Sequence, residues 1–402
     1  MSIKTLTEQI LHKIPTIGRW QRKFIIHLFP LWLSIRGRHN YTNLARYGHY
    51  GEDTYRQNAG RSFPFLTFNR LLVQQSFSKN CLIAFDPTYV SKSGKHTKGV
   101  GYFYSGCAGR EKWGLEFSGI AAIDLNIKKA LHLEAVQTLH DSDKETLLAY
   151  YARTIIERKK ELMSISNLIA ADAFFARAPF VELLTADGFD LVTRLQKNIF
   201  LRYLYKGLQK KGRGRPKKYD GKVDPIQLRK DQFKVFDQAQ DGSWIAYHAV
   251  VNIRAWKRSA SLVIVHDLDV KGNIKSYRIF ACTDIEMSGP QVKFNYEARY
   301  QIEFLFRDAK QELGLEHAQA RSKEKLHFHV NTSLTCGSLA KAAYYLTIPI
   351  EQRKAFSIAD IKTLYTNEFF FNRIISWFAI DPKLKLINKI RDRVLAFGKR
   401  AA

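Results

Sequence analysis

The chain has 402 residues, 46% of them hydrophobic, and sets 64 Lys and Arg against 37 Asp and Glu for a formal charge of +27. That length holds two or three domains and a sizeable core, and the composition is that of an ordinary soluble globular protein. The positive excess, spread along the whole chain, argues for a polyanionic partner, of which nucleic acid is the commonest; a ribosomal or membrane-surface protein is the alternative it leaves. Cys81, Cys107, Cys282 and Cys336 stand far apart without a CxxC pair. Neither a zinc site nor a disulfide framework is indicated, and buried thiols in a reducing, cytoplasmic compartment are expected.

Residues 1–78 read as helical. Their apolar run FIIHLFPLWLSI, between Lys23 and Arg36, is about twelve residues long. It is too short to span a bilayer, no small-residue cleavage site follows it, and a place in a small helical bundle is expected. YTNLARYGHYGEDTYRQNA then predicts two short helices around Gly48 and Gly51. A helix-turn-helix would have this form and would offer Thr54, Arg56 and Gln57 to a major groove. A plain helical hairpin reads the same way.

From Lys79 the pattern changes to α/β. CLIAFD is a short apolar run that ends in Asp86 before Pro87 and predicts a buried strand. Strands are also expected over 99–106, 113–125 and 130–138, followed by a helix from Asp143 to Leu162 capped by Ser142. NLIAAD predicts another strand ending in an acid, Asp172; a helix follows, and then a strand, FDLVTRL, that carries Arg194. Three strands, a helix, an acid-terminated strand and further alternation is the order of an RNase H-like fold, a mixed sheet flanked by helices.

The alternation stops after this strand. KGLQKKGRGRPKK (206–218) holds seven Lys or Arg and predicts a loop. Its GRGRP core, with Arg213 and Arg215, resembles an AT-hook that lies in a narrow minor groove, although general phosphate contact or plain solvated surface suits it too. Period-2 segments follow (FKVFDQ, SWIAYHAVVNIRAW, ASLVIVHDL, SYRIFACTD) and predict an all-β insertion containing Trp244 and Trp256. One helix is then expected over 291–313, between Gly289-Pro290 and Gly314. At about 100° per residue, its Tyr296, Arg299, Glu303 and Lys310 share a stripe roughly 60° wide. Its apolar residues Phe294, Ile302, Leu305, Phe306, Ala309 and Leu313 imply burial against a core. Such a stripe suits a phosphate or a metal, or a row of i,i+4 ion pairs. A further helix is expected over 327–346, and basic helices near 357–378 and 383–398.

The spacing Tyr296-x2-Arg299-x3-Glu303-x6-Lys310 resembles the YREK signature of DDE transposases from bacterial insertion sequences, the insertion-sequence-4 type. The resemblance covers roughly 40–345 and implies that Glu303 is a third metal-binding carboxylate beside Asp86 and Asp172, holding Mg²⁺ or Mn²⁺. It further implies that Arg299 and Lys310 clamp phosphates and that Tyr296 hydrogen-bonds one. Tyr300, Lys92, Arg194, Arg213 and Arg215 would contact DNA, and Trp244 or Trp256 would stack on a flipped base. Pro87 stands where many relatives carry a second Asp or a small residue.

The division expected is a helical DNA-binding region (1–78), a catalytic core in two parts (79–196 and 285–346) around a basic loop and β-insertion (197–284), and a helical region (347–402). The implied activity is metal-dependent cleavage of double-stranded DNA at the terminal repeats and strand transfer into target DNA, by a homodimer at the bacterial nucleoid with no membrane involved. The alternatives are an RNase H-like nuclease without strand transfer and a non-catalytic basic helix-turn-helix DNA-binding protein.

Overall fold

Five helices open the chain: α1 (Ile3–His12), α2 (Arg19–Ser34), α3 (Tyr41–Tyr47), α4 (Glu52–Asn58) and α5 (Phe65–Ser76). This computed structural model describes residues 1–106, 108–209, 215–382 and 384–399. Side chains supply the missing acceptors at helix starts, Ser2 for Thr5 N–H and Asn40 for Asn43 N–H. The apolar run expected in a bundle is α2, and it is buried from Phe24 to Ser34 on its inner face. Its Trp32 Nε1 donates to the Leu313 carbonyl at 2.9 Å, tying the N-terminal helices to the distant end of the chain.

The α/β part continues with β1 (Cys81–Ser91), β2 (Gly101–Ser105), β3 (Arg110–Asp124), β4 (Lys129–Gln137), α6 (Leu147–Ile156), α7 (Lys159–Met163), β5 (Leu168–Ala171), α8 (Ala178–Ala186) and β6 (Asp190–Leu195). The long helix expected from Asp143 is two shorter ones, the first capped by Thr146. β1 does not stop at Asp86 but runs through Pro87 to Ser91. β5 pairs with β1 only at Ile83 and Ala84, so from Pro87 onward β1 has β3 alone beside it. Proline is tolerated on such an unpaired edge.

Next come β7 (Leu201–Leu204), β8 (Tyr219–Lys222), β9 (Lys234–Gln238), β10 (Trp244–Ile253), β11 (Arg258–Leu268) and β12 (Ile274–Cys282). These strands continue the same sheet. β12 lies antiparallel against β6, from Ile279↔Leu195 to Cys282↔Val192, and a single sheet results. Among the described residues it has twelve strands in the order β2-β3-β1-β5-β6-β12-β11-β10-β7-β8, with β4 on β3 and β9 on β10. Among the described residues only the β1–β5 and β5–β6 pairs are parallel.

The last helices are α9 (Gly289–Ala298), α10 (Gln301–Glu312), α11 (Lys323–Thr347), α12 (Ile358–Trp377) and α13 (Lys385–Ala396). α11 is buried along most of its length and covers the open edge of β4. Asn331 takes both backbone groups of Ala135, accepting from N–H at 2.8 Å and donating to C=O at 2.9 Å. Ser338 accepts from His132 N–H, and Asn69 of α5 donates to the Leu133 carbonyl. Side chains thus stand in for a missing strand, which keeps buried backbone groups paired. Cys81, Cys282 and Cys336 are free buried thiols; Cys107 lies outside the described residues. Among the described residues no helix is long and apolar enough to cross a membrane.

Candidate active site

The parallel register Ala84↔Ala170 sets Asp86 and Asp172 level with each other, two residues further along neighbouring strands. Equal register also gives them the same face of the sheet, and adjacent strands stand about 4.8 Å apart. Asp172 directly follows β5 and is fixed twice. Its carboxylate accepts from Phe174 N–H at 2.9 Å, and its carbonyl accepts from Thr193 Oγ1 on β6 at 2.8 Å. The turn-capping role that an acid often has at a strand end is therefore present here, beside whatever chemistry the same carboxylate performs.

The third acid arrives on α10. The continuous helix expected over 291–313 is broken at Arg299 and Tyr300, where the backbone tightens to i→i−3 bonds, Ile302 N–H to Arg299 O and Glu303 N–H to Tyr300 O. α10 reaches the sheet because Gly119, the β3 partner of Asp86, has no side chain. A Cβ there would lie 2.4 Å from Phe306 Cζ. Gly119 was not anticipated as a site residue, although a lone Gly inside a strand pattern is a signal for close approach.

Arg299 is only 5% exposed and lies between two of the acids. Its NH2 donates to Glu303 Oε1 at 2.7 Å and its NH1 is 3.7 Å from Asp86 Oδ1. Among the described residues its Nε and NH1 are buried without a hydrogen-bond partner. Asp86, 20% exposed at the side chain, is pushed up to about 7. Burial raises it most, Arg299 pulls it back, and the charges of Asp172, Glu303 and Glu116 push it higher. Glu116 is another residue the sequence did not single out; it is held by the Tyr151 hydroxyl at 2.5 Å.

Asp172, Glu303 and Glu116 therefore all act on the buried Asp86, with the Arg299 guanidinium as its counter-charge. Their chemistry suits a hard divalent cation, since all the donors are oxygen and Asp86 carries an uncompensated excess of negative neighbours. No three His, Cys, Asp or Glu side chains among the described residues are, however, grouped so as to hold a metal ion.

The other expected site residues divide. Tyr296 packs its ring 4.8 Å from Phe280 of β12 and is held above the usual phenol range by burial, with Arg299, Arg194 and Asp172 among its charged neighbours. Lys310 is half-buried on α10, seven residues and about 10 Å beyond Glu303 along the axis. Tyr300 is 48% exposed, with the Arg299 guanidinium 5.1 Å from its ring. Half-buried Trp244 has the Lys293 ammonium 4.1 Å above it. Trp256 is 2% exposed and donates to the Ala176 carbonyl at 2.7 Å. It is core and has no open face for a base.

Lys92 does not reach out to solvent either; its ammonium binds the carbonyls of Ala318 and Ala320 at 2.7 and 2.8 Å. Arg215 is exposed, and Arg213 lies outside the described residues. In α4, Arg56 is paired with Glu52 and Asp53 of its own helix.

A parallel pair of strands carrying Asp86 and leading to Asp172 is met here by a helix with a third acid, Glu303. Residues 81–337 match the family described as Transposase DDE domain, and the chain belongs to that family. Among solved structures it is similar to a piggyBac transposase in a synaptic complex with hairpin DNA, at 12% identity and a TM-score of 0.39, covering 98% of this chain and 80% of that one. No curated protein matches the sequence.

Proposed function

We propose that this chain is a DNA transposase of the insertion-sequence-4 type. It cuts double-stranded DNA at the ends of its element and joins the freed ends to target DNA. The observation that carries this is geometric: Asp86 and Asp172 stand level on neighbouring parallel strands, and Arg299 reaches both Asp86 and Glu303. A buried acid with further acids and a guanidinium around it is what a phosphoryl-transfer site needs. The strand order β4-β3-β1-β5-β6, with only the last three parallel, supports the RNase H-like reading of residues 79–196 with 285–346. On this reading β7–β12 are an insertion that prolongs the core sheet, flanked by helical regions 1–78 and 347–402.

Asp86, Asp172 and Glu303 would hold Mg²⁺ or Mn²⁺, which when bound activates an attacking oxygen and stabilises a leaving one. Arg299 exchanges its two carboxylate partners for a phosphate, which it grips as a bidentate fork. Lys310 acts as a point charge on a flanking phosphate, and Arg194 neutralises another beside Tyr296. Tyr300 and Trp244 are the aromatics with surface to brace a distorted DNA end. Water cuts one strand at each end, and the freed 3′-OH then attacks a phosphodiester. Two ends cut together require a homodimer.

The test is incubation with DNA bearing the element's ends and Mg²⁺, for the natural protein and Glu303→Gln. Loss of cleavage with retained gel-shift binding supports the assignment; equal nicking by both refutes it. Products joined to target DNA separate a transposase from a nuclease that only cuts, and binding without any cleavage leaves the non-catalytic DNA-binding alternative.

A further inference from the structure

The end of α10 is held by side chains from three other helices. The last carbonyls of a helix have no partner within it, and Gly314 ends this one in the left-handed conformation, at a φ of 67°. Lys362 of α12 donates to the Glu312 carbonyl. Trp32 of α2 and Ser333 of α11 both donate to the Leu313 carbonyl, at 2.9 and 3.1 Å. His329 of α11 donates to the Gly314 carbonyl at 2.8 Å. Trp32, His329 and Ser333 are buried, and the Lys362 ammonium brings positive charge to the negative end of the helix dipole. Thr366 of α12 donates to the Ser34 carbonyl at 3.2 Å, so the helices that supply Trp32 and Lys362 are also fastened to each other.

Glu303 lies nine residues before Glu312, about 14 Å along the axis, so these bonds act on the helix and not on its acid directly. The inner face of α10 is buried through Ile302, Leu305, Phe306 and Ala309. Apolar burial is non-directional and tolerates a small rotation or slide of the helix; directional hydrogen bonds at one end do not. A carboxylate that must meet two others needs such a restraint, because a misplacement of about 1 Å can cost a hundredfold in rate. Resting on the DNA-cutting reading, we propose that Trp32 and Lys362 are positioning residues for Glu303. By holding the end of α10 they set its rotation and axial register against the strands that carry Asp86 and lead to Asp172. The helical regions at both ends of the chain thereby govern the cut without touching it.

The test compares full-length variants with the natural protein in two ways. Hydrogen exchange of residues 301–312 is followed without divalent ions, and single-turnover cleavage and gel-shift binding are measured with end-bearing DNA and Mg²⁺. Lys362→Met removes the ammonium and keeps the stem. Trp32→Phe with Ser333→Ala removes both donors to the Leu313 carbonyl and little volume, and keeps the test sound should Lys362→Met fail to fold. In each, exchange over 301–312 is expected to quicken about fivefold and cleavage to slow about tenfold, with DNA affinity unchanged. Lys362→Arg, which returns a donor and a charge, restores both. Ile155→Val, in the buried face of α6, controls for stability alone: it lowers the melting temperature and leaves exchange over 301–312 and cleavage as they were. Unchanged cleavage in the Lys362 and Trp32 variants overturns the assignment, even where exchange quickens. Losses that Ile155→Val reproduces, or that extend to DNA binding, overturn it too and reduce these contacts to general supports of the fold. Each of these leaves the DNA-cutting reading standing, whereas a natural protein that binds DNA and never cuts it overturns that reading and the assignment together.

Discussion

Asp86 shows how a buried acid and the stability of its surroundings pull in opposite directions. Its carboxyl sits at about 7 against an ordinary 3.8, so the folded chain binds this proton more tightly than the unfolded chain does. Ionising it therefore weakens the fold, by an amount that grows from about pH 4, levels off above about pH 7, and is absent below both values. Asp86→Asn removes that liability. Without divalent ions, the variant is expected to be more stable than the natural protein at pH 8, by roughly 1–4 kcal/mol, with the gap closing towards pH 4. Paired thermal melts at the two pH values measure it, and a variant less stable at pH 8 would mean that Arg299 already compensates the charge. Arg299 is the other half of this balance, since its contacts to Glu303 and Asp86 are what hold so many negative groups together.

At the scale of elements, one glycine and one asparagine decide how helices meet the sheet. Gly119 lets α10 lie against β3 opposite Asp86, with Phe306 filling the space a Cβ would take. Gly119→Ala forces that ring and its helix outward, which is expected to destabilise the fold by about 1–3 kcal/mol and to lower cleavage more than DNA affinity. Phe306→Leu in the same chain should recover part of both losses; no recovery would place the fault in the β3 backbone instead. Asn331 on α11 pairs both backbone groups of Ala135. Asn331→Leu keeps much of the bulk but leaves a buried donor and acceptor unmatched, at roughly 2–5 kcal/mol. Urea unfolding measures this, and a loss under about 1 kcal/mol would mean that water replaces the side chain at the β4 edge.

On the scale of the whole molecule, the sheet is continuous from the acids to the far edge of the inserted strands. β6 carries Arg194 and Thr193, the latter holding Asp172. Its outer neighbour is β12, whose Phe280 packs on Tyr296. Removing residues 199–282 behind a short linker is therefore expected to yield aggregated protein, since β6 loses its outer neighbour and leaves the backbone beside buried Leu191, Val192 and Leu195 unpaired, and Tyr296 loses its packing partner. Soluble expression and circular dichroism decide it. A soluble, cooperatively melting remainder would show that the strands are an independent unit after all.

The residues themselves determined which acids lie on or beside strands. Short apolar runs ending in Asp86 and Asp172 predict strand-borne carboxylates, and the spacing from Tyr296 to Lys310 singles out one side of a helix, because burial patterns and turn signals are local properties of the chain. What tertiary structure alone decided depends on contacts between segments far apart in sequence. β12 joins β6 across more than eighty intervening residues, and no local period encodes that pairing. Trp256 is buried against Ala176, Lys92 is held by carbonyls more than two hundred residues away, and the helix breaks at Arg299 and Tyr300. Periodicity names a face, but only the packed chain fixes what that face meets, since one residue type serves equally well as core, tether or binding surface until its neighbours are in place.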